Sequence, residues 1–467
     1  MRPTPLPPIY RGKLMFFDEV LWDKADELLA SWKSRLFNQA AINEMTALIQ
    51  HHREGIADRL FPPQKGSFNM VIRLRFLDGA STIIRLPIPG YSVFPEEKVQ
   101  REVSVMRFLE RHTEIRVPHI LHYGMTDQSP AQLGPFIIME YIDSNADLVD
   151  ALNTPGIPIE ERPILDPDIA PARLRSVYSD MAGLMLQVAK CSFNAIGCIS
   201  NNENDELDNE WVVKHRALSI NMNELVQVGG VALEHLPQRT FTSGSEYFLV
   251  LAELHMVHLS SQKHDAIYSA EDCRTKYIAR CLFRKLAREK RLCRFENGPF
   301  KLYCDDLRPA NILSNSDLDY KICGAIDWEF SYAAPADFVY APPCWLLLER
   351  PEYWETGLDD WARVYEQRLE VWLEEMVMRE DAEIARGVIG EENRLSGFMR
   401  ESWENGDFWV SYAARRSWAF DVIYWARIDR RFFGEGTMED RFALLTEEER
   451  GSMEEFVQRK MNEIADA

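Results

Sequence analysis

The sequence predicts an α+β chain of two lobes, a small sheet lobe with one helix and then a larger, mostly helical lobe. Three observations carry that expectation. Apolar and polar residues alternate from Phe68 to Leu86, the period of a half-buried strand. One helical stretch, Pro95 to His112, separates that region from a short apolar run, Phe136-Ile137-Ile138-Met139. Beyond residue 146 helical spacing dominates, interrupted around 300–330 by short apolar runs that carry Asp306, Asn311 and Asp327.

Residues 1–60 read as an N-terminal helical extension. A Pro-rich tip (Pro3, Pro5, Pro7, Pro8) gives way to Leu21, Ala25, Leu28 and Leu29, then Ile42, Met45, Leu48 and Ile49, at helical spacing. Residues 61–145 form the sheet lobe. There Phe68, Met70, Ile72, Leu74 and Phe76 alternate with Asn69, Val71, Arg73 and Arg75, Asp78-Gly79 makes the turn, and Thr82 to Leu86 returns as a hairpin. Pro95 suits a first helical turn, and Val99, Val103, Met106 and Leu109 form the buried stripe behind it. Residues 139–142 join the lobes. The large lobe, 146–467, divides into a helical insert (146–300) with a solvated loop at Asn201 to Asp208, catalytic and metal loops (300–340) with two short strands around Ser314 to Asp317, and aromatic-rich C-terminal helices (345–467).

A length of 467 residues suits two or three domains or one large two-lobed unit. The net charge of −21 repels phosphate backbones and argues against nucleic acid as a partner. As a surface field it favours a cationic or neutral substrate weakly. Eight cysteines without a Cys-x-x-Cys spacing point to reduced intracellular thiols, not to zinc or a disulfide scaffold. No apolar run approaches the ~18 residues of a membrane span. The first residues lack the apolar core of a signal peptide, so the cytoplasm is the expected location.

The chemistry is concentrated in Tyr303 to Leu313 and Gly324 to Glu329. Asp306 precedes Asn311 by five residues, and Asp327 ends the run Gly324-Ala325-Ile326. An ionised acid in a tight loop can orient a hydroxyl and accept its proton. An amide oxygen and a second carboxylate are hard ligands suited to magnesium on a triphosphate. Asp306 alone would read as a turn aspartate; the three together favour chemistry. Arg308 is placed to offset charge on a transferring phosphoryl group. Gly66 and Ser67, ahead of the first long strand, let backbone amides approach phosphates. Arg85 on the second strand and Glu102 on the following helix are expected to pair, the guanidinium lying over the α- and β-phosphates. Glu140 and Ile142 bracket a connection whose backbone can hold adenine. Trp403, Trp409, Trp418, Tyr424 and Trp425, with Asp407 and Asp421, read as helix core before they read as a cage for a cationic amine.

These stretches, with Val117-Pro118 and Pro335-Ala336-Asp337, resemble the aminoglycoside phosphotransferase and choline kinase-like family, particularly its fungal branch. The resemblance spans about residues 61–345. It implies a bilobal protein kinase-like fold, ATP and magnesium (Mg2+) as cofactors, and phosphorylation of a small-molecule hydroxyl. Asp306 would be the base, Asn311 and Asp327 the metal ligands, Arg85 the strand cation and Glu102 its partner. Three positions depart from the family: Cys304 stands for the usual His, Asp305 for Gly and Arg85 for Lys. They keep a second reading open, a catalytically impaired pseudokinase-type nucleotide-binding or scaffold protein. The few residues between Asp327 and Ala334-Pro335 leave no room for a peptide-docking activation segment, so a small molecule is the expected substrate. Neighbouring carboxylates argue against Cys304 as a nucleophile.

Overall fold

The computed structural model describes residues 17–158, 161–201 and 211–465. The Pro-rich tip and most of the expected loop after Asn201 lie outside the described residues. Two helices come first, α1 (Glu19–Leu36) and α2 (Gln39–His52). Asp18 caps α1 by accepting the Leu21 N–H at 3.1 Å, and Asn38 caps α2, which answers the open N–H groups of each first turn. Their apolar stripes, including Leu29, Trp32, Met45 and Ile49, cover one face of an antiparallel sheet and form a separate core with Ile72, Leu74, Ile84 and Ile138.

That sheet contains β1 (Ala57–Leu60), β2 (Gln64–Lys65), β3 (Asn69–Phe76), β4 (Ser81–Pro87), β5 (Ile120–Gly124) and β6 (Phe136–Glu140). Its spatial order is β1-β3-β4-β6-β5, with β2 paired to β3. The β3–β4 register sets Ile72 against Ile84 around the Asp78-Gly79 turn, where Gly79 takes φ +89°. β1 begins the sheet four residues before position 61, and β5 adds an edge strand with no clear alternation in sequence. α3 (Pro95–His112) starts on its proline and buries Val99, Val103, Met106 and Leu109, as the spacing predicts. It packs on the sheet away from α1 and α2, and its apolar residues join the core of the large lobe.

The large lobe opens with β7 (Ala146–Asp147), α4 (Leu148–Leu152), α5 (Pro171–Ala189), β8 (Ser192–Phe193), β9 (Cys198–Asn201) and β10 (Trp211–His215). α6 (Ile220–Val228), α7 (Gly244–Ser261) and α8 (Ala270–Arg288) complete the insert. Four short strands follow where two were expected: β11 (Phe300–Cys304), β12 (Ile312–Asn315), β13 (Lys321–Ala325) and β14 (Ser331–Ala334). They build two small sheets, β14-β11-β8 and β13-β12-β7, and the chemistry-bearing loops run between them. After α9 (Ala336–Val339), helices from α10 (Leu358–Ala385) to Glu447–Ala465 close the lobe around fully buried Trp361, Tyr365 and Trp372. Among the described residues no helix is long and apolar enough to cross a membrane.

The start of α1 also ties the lobes together. The Asp18 N–H donates to the Val228 carbonyl at 3.0 Å, and its carboxylate accepts the Lys263 and His264 amides at 3.3 and 3.1 Å. Close by, Asn223 of α6 donates to the Tyr91 carbonyl at 2.8 Å and accepts the Val93 amide at 2.9 Å.

Candidate active site

Asp306 sits in the loop that leaves β11. The Asn311 side-chain amide donates to its carbonyl at 2.8 Å and to its carboxylate at 2.9 Å. Arg308 Nε pairs with the other carboxylate oxygen at 2.9 Å. This double hold fixes the acid's direction and leaves the Asn311 side-chain oxygen, Oδ1, for another partner. The β12–β13 hairpin pairs Ile312 with Ala325, and the Ile326 N–H donates to the Asn311 carbonyl at 2.9 Å. Asp327 therefore emerges beside Asn311. Its φ of +57° is the left-handed conformation that aspartate tolerates better than most side chains.

From the sheet lobe, buried Arg85 forms a close ion pair with buried Glu102 of α3. Its second nitrogen donates to Asp327 Oδ1 at 2.7 Å. Burial pushes the Asp327 carboxyl up; Arg85 opposes that shift, while Glu329 and Asp306 add to it as like charges. The donor set of two half-buried carboxylates and a carboxamide, with excess negative charge, fits a small hard divalent cation. Among the described residues no group of three His, Cys, Asp or Glu has metal-holding spacing, so any metal here would depend on the Asn311 oxygen and on ligand oxygens.

Sequence reasoning missed Lys98, Asn69 and Glu329. Lys98 forms a close ion pair with Glu329 and donates to Asn69 Oδ1 at 2.7 Å, while Asn69 Nδ2 donates to Glu329 Oε2 at 2.9 Å. All three are buried. Burial pulls the Lys98 ammonium down and Glu329 acts against it, whereas Lys98 and Arg85 hold the Glu329 carboxyl low despite its own burial. The triad fastens the start of β3 and the body of α3 to the residue two beyond Asp327. One signal was available: Lys98 precedes Glu102 by one helical turn, on the same face of α3.

No family model matches the chain. Curated relatives do match it in sequence, and four share the name "altered inheritance of mitochondria protein 9, mitochondrial". The protein of Debaryomyces hansenii is 22% identical over 312 residues, 58% of this chain and 46% of its own length. That of Candida glabrata is 23% identical over 185 residues, 38% of this chain and 28% of its own length. The chain thus spans less than half the length of these relatives. Their names overturn the cytoplasmic expectation, which rested on nothing more than the absence of a targeting pattern in the sequence. Among solved structures, the chain resembles an ethanolamine kinase of Plasmodium vivax (TM-score 0.39, 14% identity, 80% of this chain and 82% of that one). It also resembles a macrolide 2′-phosphotransferase of Brachybacterium faecium (TM-score 0.33, 13% identity, 81% and 98%). The fold class is α+β and bilobal, a small antiparallel sheet lobe followed by a mostly helical lobe. The chemistry of the site rests on this chain's own geometry.

Gly66 and Ser67 form the exposed tip of the β2–β3 hairpin, closed by the Gly66 N–H on the Asn69 carbonyl at 2.8 Å. Glu140 ends β6. Its carboxylate pairs with Arg116 at 2.9 Å and its N–H donates to the His119 carbonyl at 2.9 Å. Ile142 is buried against Gly324 of β13, where a Cβ would stand 2.5 Å from its Cδ1.

Cys304 is buried, which pushes its thiol up to about 12, and its sulfur lies 4.0 and 3.9 Å from the Asp327 and Glu329 carbonyls. It braces the Asp327 loop, and a thiol held that high is a poor nucleophile. Asp305 turns away from Asp306. It faces neither solvent nor Arg308, but accepts the Ile220 amide at 3.0 Å and lies 3.7 Å from Arg415. The aromatic stripe is helix core: Trp409 and Tyr424 are buried, Asp407 pairs with Arg431 at 2.7 Å, and Asp421 pairs with Arg280 at 2.5 Å.

Proposed function

We propose that this chain is an ATP- and magnesium-dependent phosphotransferase acting on a hydroxyl of a small molecule. One observation carries the reading: Asp306, Asn311 and Asp327 meet from two loops beneath the Arg85–Glu102 pair. Asp306, steadied by Asn311 and Arg308, orients the acceptor hydroxyl and takes its proton. The Asn311 oxygen and Asp327 hold magnesium, which when bound offsets the charge of the phosphates. Arg85 turns its fork from Asp327 to the α- and β-phosphates, with Glu102 fixing its direction. The amides of Gly66 and Ser67 lie over the phosphates, and the backbone of Glu140 and Ile142 takes the base.

The test measures ADP formation across a library of hydroxyl compounds, together with the thermal shift caused by ATP and magnesium. Asp306→Asn should lower turnover by about 100-fold or more while keeping the shift. Asp327→Ala should abolish the shift. A wild-type protein that shows no nucleotide-dependent shift overturns the reading.

A second reading, a nucleotide-binding protein without turnover, is favoured by the bond from Arg85 to Asp327, which occupies the carboxylate needed for metal. A normal shift with no ADP formed from any acceptor selects it. The names of the curated relatives support a mitochondrial location. Imaging of the tagged protein against a matrix marker tests this, and a signal confined outside mitochondria refutes it.

A further inference from the structure

We propose that the cavity beside the catalytic loop binds the acidic group, carboxylate or phosphate, of an anionic alcohol, with Arg416 as the main contact; for the fate of the hydroxyl this rests on the phosphotransferase reading. The cavity, of about 80 Å3, is lined by Asp305 and Leu307, on either side of Asp306, and by Cys344, Tyr412, Arg415 and Arg416. Arg416 is 8% exposed. Among the described residues its guanidinium has no hydrogen bond and no ion pair, although Tyr412, Cys344 and Asp305 line the same cavity. A buried guanidinium without an anion at contact distance is an unfavourable arrangement that an incoming anion would relieve.

The protein's own acids do not fill that role. Asp305 is engaged by the Ile220 amide and lies nearest Arg415. Glu352 accepts the Tyr412 hydroxyl at 2.6 Å, and its second oxygen is buried without a partner, reaching neither guanidinium. Glu224 forms no ion pair with Arg416, and burial pushes its carboxyl up. A guanidinium without an ion pair in the wall of a cavity is suited to a carboxylate or phosphate, whose two oxygens its parallel N–H donors can grip. The local chemistry thus runs against the net charge of −21, which by itself favours a cationic or neutral substrate.

The test is calorimetric titration of the full chain, without nucleotide, using probes of similar size: glycerate and glycerol 3-phosphate as anions, glycerol as neutral and choline as cation. At least one anion should bind about tenfold or more tightly than glycerol and choline, as expected for a charge-assisted hydrogen bond. Arg416→Gln should remove that advantage, and Arg416→Lys should restore part of it. If circular dichroism shows Arg416→Gln to be unfolded, Cys344→Met, which fills the cavity from its wall, is read in its place and should lower anion binding. Choline binding as tightly as the anions, failure of both anions to bind at millimolar concentration, or anion binding unchanged in the glutamine variant each overturns the proposal. Parallel thermal shifts with ATP and magnesium separate the two readings. Anion binding without a nucleotide shift sinks the phosphotransferase alone, and a nucleotide shift without anion binding sinks the pocket alone.

Discussion

Lys98 and Glu329 are opposite charges removed almost wholly from water, at 2% and 5% exposure. Each was desolvated in folding, and each is stable there because the other and Asn69 meet its hydrogen-bonding needs. Removing one partner leaves a bare buried charge. Lys98→Met or Glu329→Gln should therefore each cost about 3–5 kcal/mol in urea unfolding. The double variant Lys98→Met/Glu329→Gln should cost less than the sum of the singles, and strict additivity would show the two residues to be uncoupled. Residues at this scale were unevenly legible. Asp306 and Asn311 declare themselves because they lie five positions apart in one loop. Asn69 and Glu329 are separated by 260 positions, and nothing local in either segment says that they meet. Arg416 was silent for the same reason, since an arginine in a helical region reads as surface.

Elements whose signal is local were read from sequence with little error. The β3–β4 hairpin and α3 have their own periodicity and their own start signals. The four strands between Phe300 and Ala334 are four or five residues each, and β14 is buried throughout, so no alternation marks it. The junction of β13 with the interlobe connection is set by a glycine. At Gly324 an added Cβ would stand 2.5 Å from Ile142 Cδ1 and 3.1 Å from the Arg116 carbonyl. Ile142 can turn aside, but the carbonyl is fixed by its bond from the Ala325 amide at 2.8 Å. Gly324→Ala should cost about 1–3 kcal/mol of stability by overpacking. It should also reduce the nucleotide-induced thermal shift, because the displaced Ile142 lies where the base is proposed to bind. An unchanged shift would place the base elsewhere.

At the scale of the molecule, the chain has two cores, one under α1 and α2 and one shared by α3 with the large lobe. Sequence periodicity revealed the helices of the first core but not what they cover, since an amphipathic stripe does not name its partner. Asp18 then links this smaller core to the helical insert. Asp18→Ala should cost about 1 kcal/mol or more, because it removes a helix cap and two interlobe acceptor bonds together. Amide exchange should accelerate at Lys263 and His264, and protection left intact there would refute the link. The link has a mechanical corollary. A small lobe joined to its neighbour through residues 139–142 alone could pivot in any direction, like a ball on a stem. Pinned again at Asp18 and Asn223, clamped by Lys98 on Glu329 and packed along α3 on the larger core, it has no free pivot, and the cleft can gape only as these fastenings yield.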